Sequence, residues 1–198
     1  PFKIKDQVIG AVYLDNRFVS GLFTEKNLDF LVAFSNQAAI AIENAFLYEE
    51  IREKERMEQE ICIAARIQAG LLPKAIPKIP GLEVFGRMVP ARQVGGDYYD
   101  FIQSSNNNIL TLVIGDVAGK GVPAGLVMVM ARLLLHHFLV DLEYTQRQTL
   151  ISTNKILKDN TEPFVFMSLL LAQWDAQNHK FRYTGAGHEN LLVCRFQD

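Results

Sequence analysis

The order of predicted elements makes the larger part of this sequence an α+β domain with antiparallel strands, preceded by a hairpin and a long helix. Two observations carry that assignment. From Gly81 on, strand-like runs at 82–89, 98–103 and 109–116 come before helical runs at 123–140 and 145–159, and strand-like runs at 164–174, 180–186 and 190–195 follow. Grouped strands and grouped helices are an α+β order, whereas strict alternation would indicate a parallel sheet. The segment 175–178, Asp-Ala-Gln-Asn, has turn composition, so the strands flanking it are neighbours and antiparallel. A Rossmann reading fails on the same order. The stretch GKGVPAG at 119–125 has neither the Walker spacing nor the βαβ setting of a GxGxxG loop.

The elements before Gly81 follow from local pattern. Residues 1–24 alternate apolar and polar, with runs at 8–14 and 17–22 separated by Asp15-Asn16, a strand–turn–strand signal. From Glu25 there is no Pro or Gly until Gly70. Leu28, Leu31, Phe34, Ala38, Ala41 and Ala45 keep helical spacing and are expected to pack on the preceding strands. In REKERMEQE (52–60) only Met57 is apolar, so this part is a solvated helix. Ile61, Ala64, Ala65, Gln68, Leu71 and Leu72 then recur at spacings of three and four. They form a weak heptad seam that suits a parallel helix pair and hence a homodimer; a single helix lying along its own domain is the alternative. Pro73, Pro77 and Pro80 end the helix and make a stiff linker.

Composition excludes several function classes. With 198 residues, 49% of them apolar, the chain can bury a core. A net charge of −2 and an isoelectric point near 6.1 leave no electrostatic footprint for nucleic acid. The longest apolar stretch, 126–140, contains Arg132, His136 and His137 and is too short to span a bilayer, so no membrane contact is expected. Nothing at the N-terminus reads as a signal peptide and the sequence opens on Pro1; a piece of a longer cytoplasmic protein is expected. Cys62 and Cys194 sit in no CxxC arrangement and are expected as buried or half-buried free thiols.

The segment richest in chemistry is VGGDYYDF (94–101) followed by LVIGDVAGKGVPAG (112–125). Asn106-Asn107 makes a good two-residue hairpin turn, because Asn tolerates positive φ. A hairpin centred there sets Asp97 opposite Asp116 on one face, with β-carbons roughly 5 Å apart. Like charges so placed are destabilising unless a cation lies between them, and oxygen ligands suit Mg²⁺ or Mn²⁺. A register error of one residue would put the two on opposite faces. Gly95, Gly96, Gly115 and Gly119, with Gly121, allow close backbone approach around both aspartates and a carbonyl ligand in the turn. Strand parity sends Asp100 to the other face, as an outer or structural carboxylate. The bland reading is that both aspartates merely cap turns at strand ends, as Asp beside Gly often does.

ARIQAGLLP (65–73), PARQVGGDYYDF (90–101), IGDVAGKGVPAGLVM (114–128), FMSLLLAQWD (166–175) and YTGAGHENLLV (183–193) resemble, in order, the SpoIIE/RsbU branch of the metal-dependent protein phosphatases. The resemblance implies a sandwich of two antiparallel sheets flanked by helices, with a two-metal Mn²⁺ or Mg²⁺ site. It implies that Asp97 and Asp116 are metal ligands, that Val117 offers its carbonyl, and that a metal-activated water attacks a phosphoserine or phosphothreonine. The partner implied is a phosphoprotein, typically a small STAS-type antagonist of an anti-sigma factor. IGAVYLDNRFVSGLFTEKNLDFLVAFSNQAAIAIENAFLYEE (9–50) resembles the closing strands and last helix of a GAF sensory domain. The implied organisation is a GAF remnant over 1–46, a signalling helix over 47–72, a linker over 73–80 and the front of a phosphatase domain over 81–198.

Departures qualify the implication. Family members continue with a further Asp-Gly strand end and a late Asp, both metal ligands, so this stretch alone is expected to be weakly active or inactive. Better-known relatives have a His soon after the second Asp, where this sequence reads VAGKG. Arg92 and Lys120 are candidates to hold substrate phosphate, each equally readable as a solvated surface residue. His188 in GAGHEN falls near the implied site and is expected in a structural hydrogen bond rather than in proton transfer. His136 and His137 are read as contacts to a helix C-terminus, and His179 as a turn residue.

Overall fold

The structure is a computed structural model that describes residues 1–4, 7–19, 21–89, 93–140 and 144–194. It divides into two compact units, Pro1–Gln59 and Glu60–Asp198. The helix α1 (Glu25–Leu71) contributes to both, its residues from Glu60 belonging to the second.

In the first unit, β1 (Phe2–Ile4) pairs antiparallel with β2 (Gln7–Gly10). This hairpin lies ahead of the one expected over 8–22. Asn16 explains the difference: its Oδ1 accepts the N–H groups of Phe18 and Val19, so the Asp15-Asn16 turn closes locally without a strand on either side. Along α1, burial falls on Ser35 and Ala39, while Leu28 and Phe34 of the expected face stay exposed. Cys62 and Cys194 are both free, and both exposed rather than buried; Cys62 sits on a largely solvated stretch of α1.

The second unit is built on a four-stranded antiparallel sheet in the order β3 (Tyr98–Gln103), β4 (Ile109–Val117), β5 (Met167–Asp175), β6 (Lys180–Ala186). Between β4 and β5 the chain forms α2 (Val122–Val140) and α3 (Gln146–Asn160). Thr145 starts α3 with a capping box, its hydroxyl taking the Gln148 N–H while the Gln148 side chain reaches back to the Thr145 N–H. Between β5 and β6, Asp175 Oδ1 accepts the N–H groups of Gln177 and Asn178, which fixes the expected hairpin turn. The α+β order is therefore observed.

Both helices cover one face of the sheet. Tyr98, Ile102, Val113, Val117, Leu169 and Leu171 from the strands meet Met128, Ala131, Leu135 and Leu139 of α2, and Leu150 and Leu157 of α3. Leu135 is fully buried, so truncation to Ala would cost about 2–5 kcal/mol. By length and composition α1 and α2 are both apolar enough to cross a membrane. The 126–140 stretch thus lies in a full-length 19-residue helix. Its packing against the sheet, rather than its length, marks it as a core helix.

The other face is open. It carries Tyr99, Phe101, Leu112, Ile114, Phe181 and Tyr183, with Ile114, Phe181 and Tyr183 exposed. Among the described residues the expected runs 82–89 and 190–194 are not strands. Around the first, only an isolated bridge from Ile79 to Leu82 forms, and the Tyr99 hydroxyl donates to the Gly86 carbonyl. The described residues therefore hold one of the two sheets the resemblance implies.

Candidate metal centre

The hairpin between β3 and β4 sets the site. Asn107 takes φ 57°, its N–H donates to the Ser104 carbonyl, and the Ser104 and Asn106 side chains bond across the turn. Pairing then runs in an unbroken register from Gln103↔Leu110 to Tyr98↔Gly115. One residue further, Asp97 faces Asp116, so the expected register is observed. Both aspartates are solvent-exposed on the open face. Partial burial first, then the Asp116 charge and a carboxyl–carboxyl hydrogen bond, push the Asp97 pKa above its ordinary value. Two carboxylates so placed repel each other, and a cation between them would relieve the repulsion.

The backbone around the pair is tight. Gly96 has no room for a side chain, since an added Cβ would lie 2.7 Å from the Val117 carbonyl oxygen and 3.2 Å from its nitrogen. The Val117 N–H donates to the Gly96 carbonyl at 3.3 Å. The loop before β3 therefore lies against the end of β4 and brings the Val117 carbonyl beside it. Gly115 serves packing between strands: an added Cβ would meet Leu169, Met167 and the Ser168 carbonyl, each at 2.7 Å. Gly119 holds φ +115° in open space, a turn conformation that favours glycine.

A cleft of about 870 Å³ runs from this pair across the open face, walled by 82–89 on one side and by Phe101, Ile114 and Phe181 on the other. His188 also lines it. The His188 Nδ1 lies 2.8 Å from Ser168 Oγ, and Ser168, directly opposite Asp116 in the sheet, donates at 3.4 Å to the Asp116 carbonyl. Lys120 is exposed and does not line the cleft. Arg92 lies outside the described residues. His179 occupies the turn with φ 50°, near Trp174.

On the helical face, Asp100 is buried and gathers four partners. His136 Nε2 lies 2.8 Å from Oδ2, the Tyr98 hydroxyl donates to Oδ2 at 3.0 Å, and the Phe101 N–H donates to Oδ1 at 2.8 Å. Arg132 Nε is 3.2 Å from Oδ2, an ion pair by distance though not aligned as a hydrogen bond. Burial pushes the Asp100 pKa up, but the His136 hydrogen bond, the Phe101 N–H, the His136 charge and the Tyr98 hydroxyl outweigh it and leave it lowered. Burial first, and then the Asp100 charge, raise the Tyr98 phenol. This corrects the reading of His136 as a helix-end contact; His137 does sit in the last turn of α2. The signal in the sequence was Arg132 and His136 four apart on an otherwise apolar helix, a spacing that puts both on one face.

Sequence reasoning also left open which surface the end of α1 meets. Gln68 is buried, its amide donating to the Gly95 carbonyl at 2.7 Å and accepting the Gly95 N–H at 3.1 Å. Leu72 packs on the core. For these two residues the reading of a helix lying along its own domain holds.

The sequence profile of stage II sporulation protein E (SpoIIE) matches residues 106–198. The chain is 31% identical over 163 residues to the phosphoserine phosphatase RsbU of Bacillus subtilis, covering 82% of this chain and 47% of that protein. It is 25% identical over 185 residues to the protein IcfG of Synechocystis, covering 76% and 29% respectively. The chain thus spans less than half the length of either curated relative. The solved SiaA-PP2C domain of Pseudomonas aeruginosa superposes with a TM-score of 0.51 at 18% identity, over 68% of this chain and 55% of that one, a likeness of fold. An antiparallel α+β unit of this topology, joined to these sequence matches, places the chain in the SpoIIE/RsbU branch of the PPM phosphatases.

Proposed function

We propose that this chain is the front portion of a protein serine/threonine phosphatase that works with Mn²⁺ or Mg²⁺ in a bacterial signalling protein. The observation that carries the proposal is the register that sets Asp97 against Asp116 at the head of the cleft. The donor set fits a hard divalent cation, with two carboxylate groups and, beside them, the Val117 carbonyl. Such a cation supplies charge stabilisation and an activated water for attack on a phosphoryl group. The protein's own part is to hold the carboxylates opposed, while the cleft offers an apolar bed for the segment around a phosphoserine or phosphothreonine. Arg92 and Lys120 are the candidates on this chain for the substrate phosphate.

The organisation proposed with it is a GAF-like remnant over 1–46, a dimerising signalling helix over 47–72 and the phosphatase portion beyond, in a cytoplasmic protein. The substrate proposed is a STAS-type antagonist phosphorylated on Ser or Thr. Complete activity is proposed to need metal ligands beyond these two carboxylates and the carbonyl.

The test is phosphate release from a phosphoserine STAS-type protein by that longer protein with Mn²⁺, beside its Asp116→Asn variant. Loss of at least the roughly 100-fold that even an outer partner of a metal can cost supports the reading. Unchanged release would sink it. A second reading, a non-catalytic dimeric signalling module on a phosphatase-like fold, draws on one observation: no cluster of three or more His, Cys, Asp or Glu side chains among the described residues could hold a metal. A longer protein that neither binds Mn²⁺ nor releases phosphate would favour it.

A further inference from the structure

Ser168 and His188 tie the far strands of the sheet to the aspartate pair. Ser168 stands opposite Asp116 in the β4–β5 ladder, so its side chain shares the open face with that carboxylate. Its hydroxyl donates at 3.4 Å to the Asp116 carbonyl, and its oxygen lies 2.8 Å from His188 Nδ1. His188 follows the end of β6 by two residues. Gly187 before it takes φ +69°, which favours glycine, and a parallel bridge from Leu169 to Gly187 pins this turn beside β5. Backbone and side chain together therefore place the imidazole, which lines the same cleft as Asp97 and Asp116. Two tyrosines on that wall are already engaged, Tyr98 with Asp100 and Tyr99 with the Gly86 carbonyl. Histidine is the side-chain type that exchanges protons most readily at physiological pH.

We infer that His188 donates the proton to the leaving seryl or threonyl oxygen, with Ser168 as the positioning residue that fixes its tautomer. This rests on the phosphatase reading above. Because the Ser168 hydroxyl points its hydrogen at the Asp116 carbonyl, its oxygen accepts from His188, so Nδ1 keeps its proton. Nε2 is then the nitrogen that exchanges a proton with the cleft. In the step itself, the oxygen of the attacking water forms a new P–O bond as the bond from phosphorus to the side-chain oxygen breaks. The electron pair of the broken bond stays on that oxygen and takes the Nε2 proton, so the residue leaves as an alcohol. The water gives up a proton in turn and His188 regains one from solvent, so one water is consumed for each phosphate released. An alkoxide is a poor leaving group, and general acids contribute about 10²–10⁴-fold to such steps. The stretch VAGKG after Asp116 offers no histidine for the task.

The experiment uses the longer protein with Mn²⁺ and two substrates that differ in what leaves. A phosphoserine peptide releases an alkoxide that needs a proton; p-nitrophenyl phosphate releases a phenolate that does not. His188→Asn keeps an amide for Ser168 but has no proton to transfer. Its kcat on the peptide is expected to fall about 100-fold or more, with far less loss on p-nitrophenyl phosphate and with Mn²⁺ affinity by calorimetry kept. An unchanged rate on the peptide, or an equal fall on both substrates with Mn²⁺ affinity kept, overturns the inference. If His188→Asn loses Mn²⁺ as well, Ser168→Ala decides: a larger loss on the peptide than on p-nitrophenyl phosphate supports the role, and equal losses overturn it. Asp116→Asn tests the metal reading separately. It should lose both substrates together; wild-type rates would sink that reading and leave the two-substrate comparison to decide on His188. A wild type inert on both substrates sinks both. Nitrogen NMR of the His188 ring in the metal-free chain is independent of turnover: Nδ1–H is expected when the ring is neutral, shifting toward Nε2–H in Ser168→Ala. A neutral ring with Nε2–H in the wild type overturns the part given to Ser168.

Discussion

Asp97 and Asp100 lie three residues apart and meet opposite environments. Asp100 turns inward beneath α2, where His136, Arg132, Tyr98 and the Phe101 N–H surround it, and its pKa is lowered. Asp97 turns to the open face, where its described neighbour in charge is another carboxylate, and its pKa is raised. One carboxylate is already balanced by the protein's own cations and serves the fold. The other is left unbalanced at the head of a cleft, which is what a site for an external cation needs. Parity along β3 and the residue before it thus sends one aspartate to the core and the other to the cleft.

Breaking the balanced side is expected to give the largest effect. Asp100→Asn leaves Arg132, about one-fifth exposed, facing a neutral amide. Loss of one member of a buried pair costs about 3 kcal/mol, the low end of the usual range because Arg132 and His136 keep some solvent. Urea unfolding should show the midpoint fall with an unchanged slope. The pH dependence follows from the lowered pKa. The stabilisation is fully present above the unfolded value, about 3.9, and is lost as pH falls through the lower folded value. Acid unfolding of the wild type should therefore be steep below pH 4 and shallower in Asp100→Asn. Equal acid profiles would mean that the pairing contributes nothing.

A smaller loss is expected where the two faces share backbone. Gly96→Ala would drive a methyl group against the Val117 carbonyl and nitrogen, and backbone cannot yield as a flexible side chain can. A cost of about 1–3 kcal/mol is typical of such overpacking. The same variant should weaken Mn²⁺ binding, because the loop carrying Asp97 must lift to admit the methyl group. A thermal scan with and without Mn²⁺ measures both. An unchanged melting temperature in the absence of metal would show that the loop is not held against β4.

How far the site could be read from the sequence follows from the range of the forces involved. The β3–β4 register was legible because the connection is short and centred on Asn106-Asn107, and with it the facing of Asp97 and Asp116, although the turn forms over Ser104–Asn107 rather than as a two-residue Asn-Asn turn. The helical run expected at 145–159 matches α3 (Gln146–Asn160). The Gln68–Gly95 contact was not legible, since it joins residues 27 positions apart through a backbone group that leaves no mark in composition. Nor was the Asp100 cluster, which spans 36 positions to His136; only the Arg132/His136 spacing hinted at it. The 82–89 run misled for the converse reason. Its alternation is real, but a strand needs a partner, and among the described residues it gains only the Ile79–Leu82 bridge.

The smallest effect sharpens the comparison most, because its sign should reverse with conditions. In the metal-free chain the folded state disfavours ionised Asp97, and the full penalty is present wherever pH is above both the folded and the unfolded pKa. Asp97→Asn removes that charge at an exposed position. It should raise stability by at most about 1 kcal/mol, the scale of screened surface charges. With Mn²⁺ in excess the order should invert. The wild type then gains the free energy of binding an ion that the unfolded chain does not hold, and the variant gains little. Paired urea titrations, with chelator and with Mn²⁺, read both halves. Destabilisation by Asp97→Asn under chelator would show that the facing aspartates do not repel, and the contrast with Asp100 would lose its electrostatic basis.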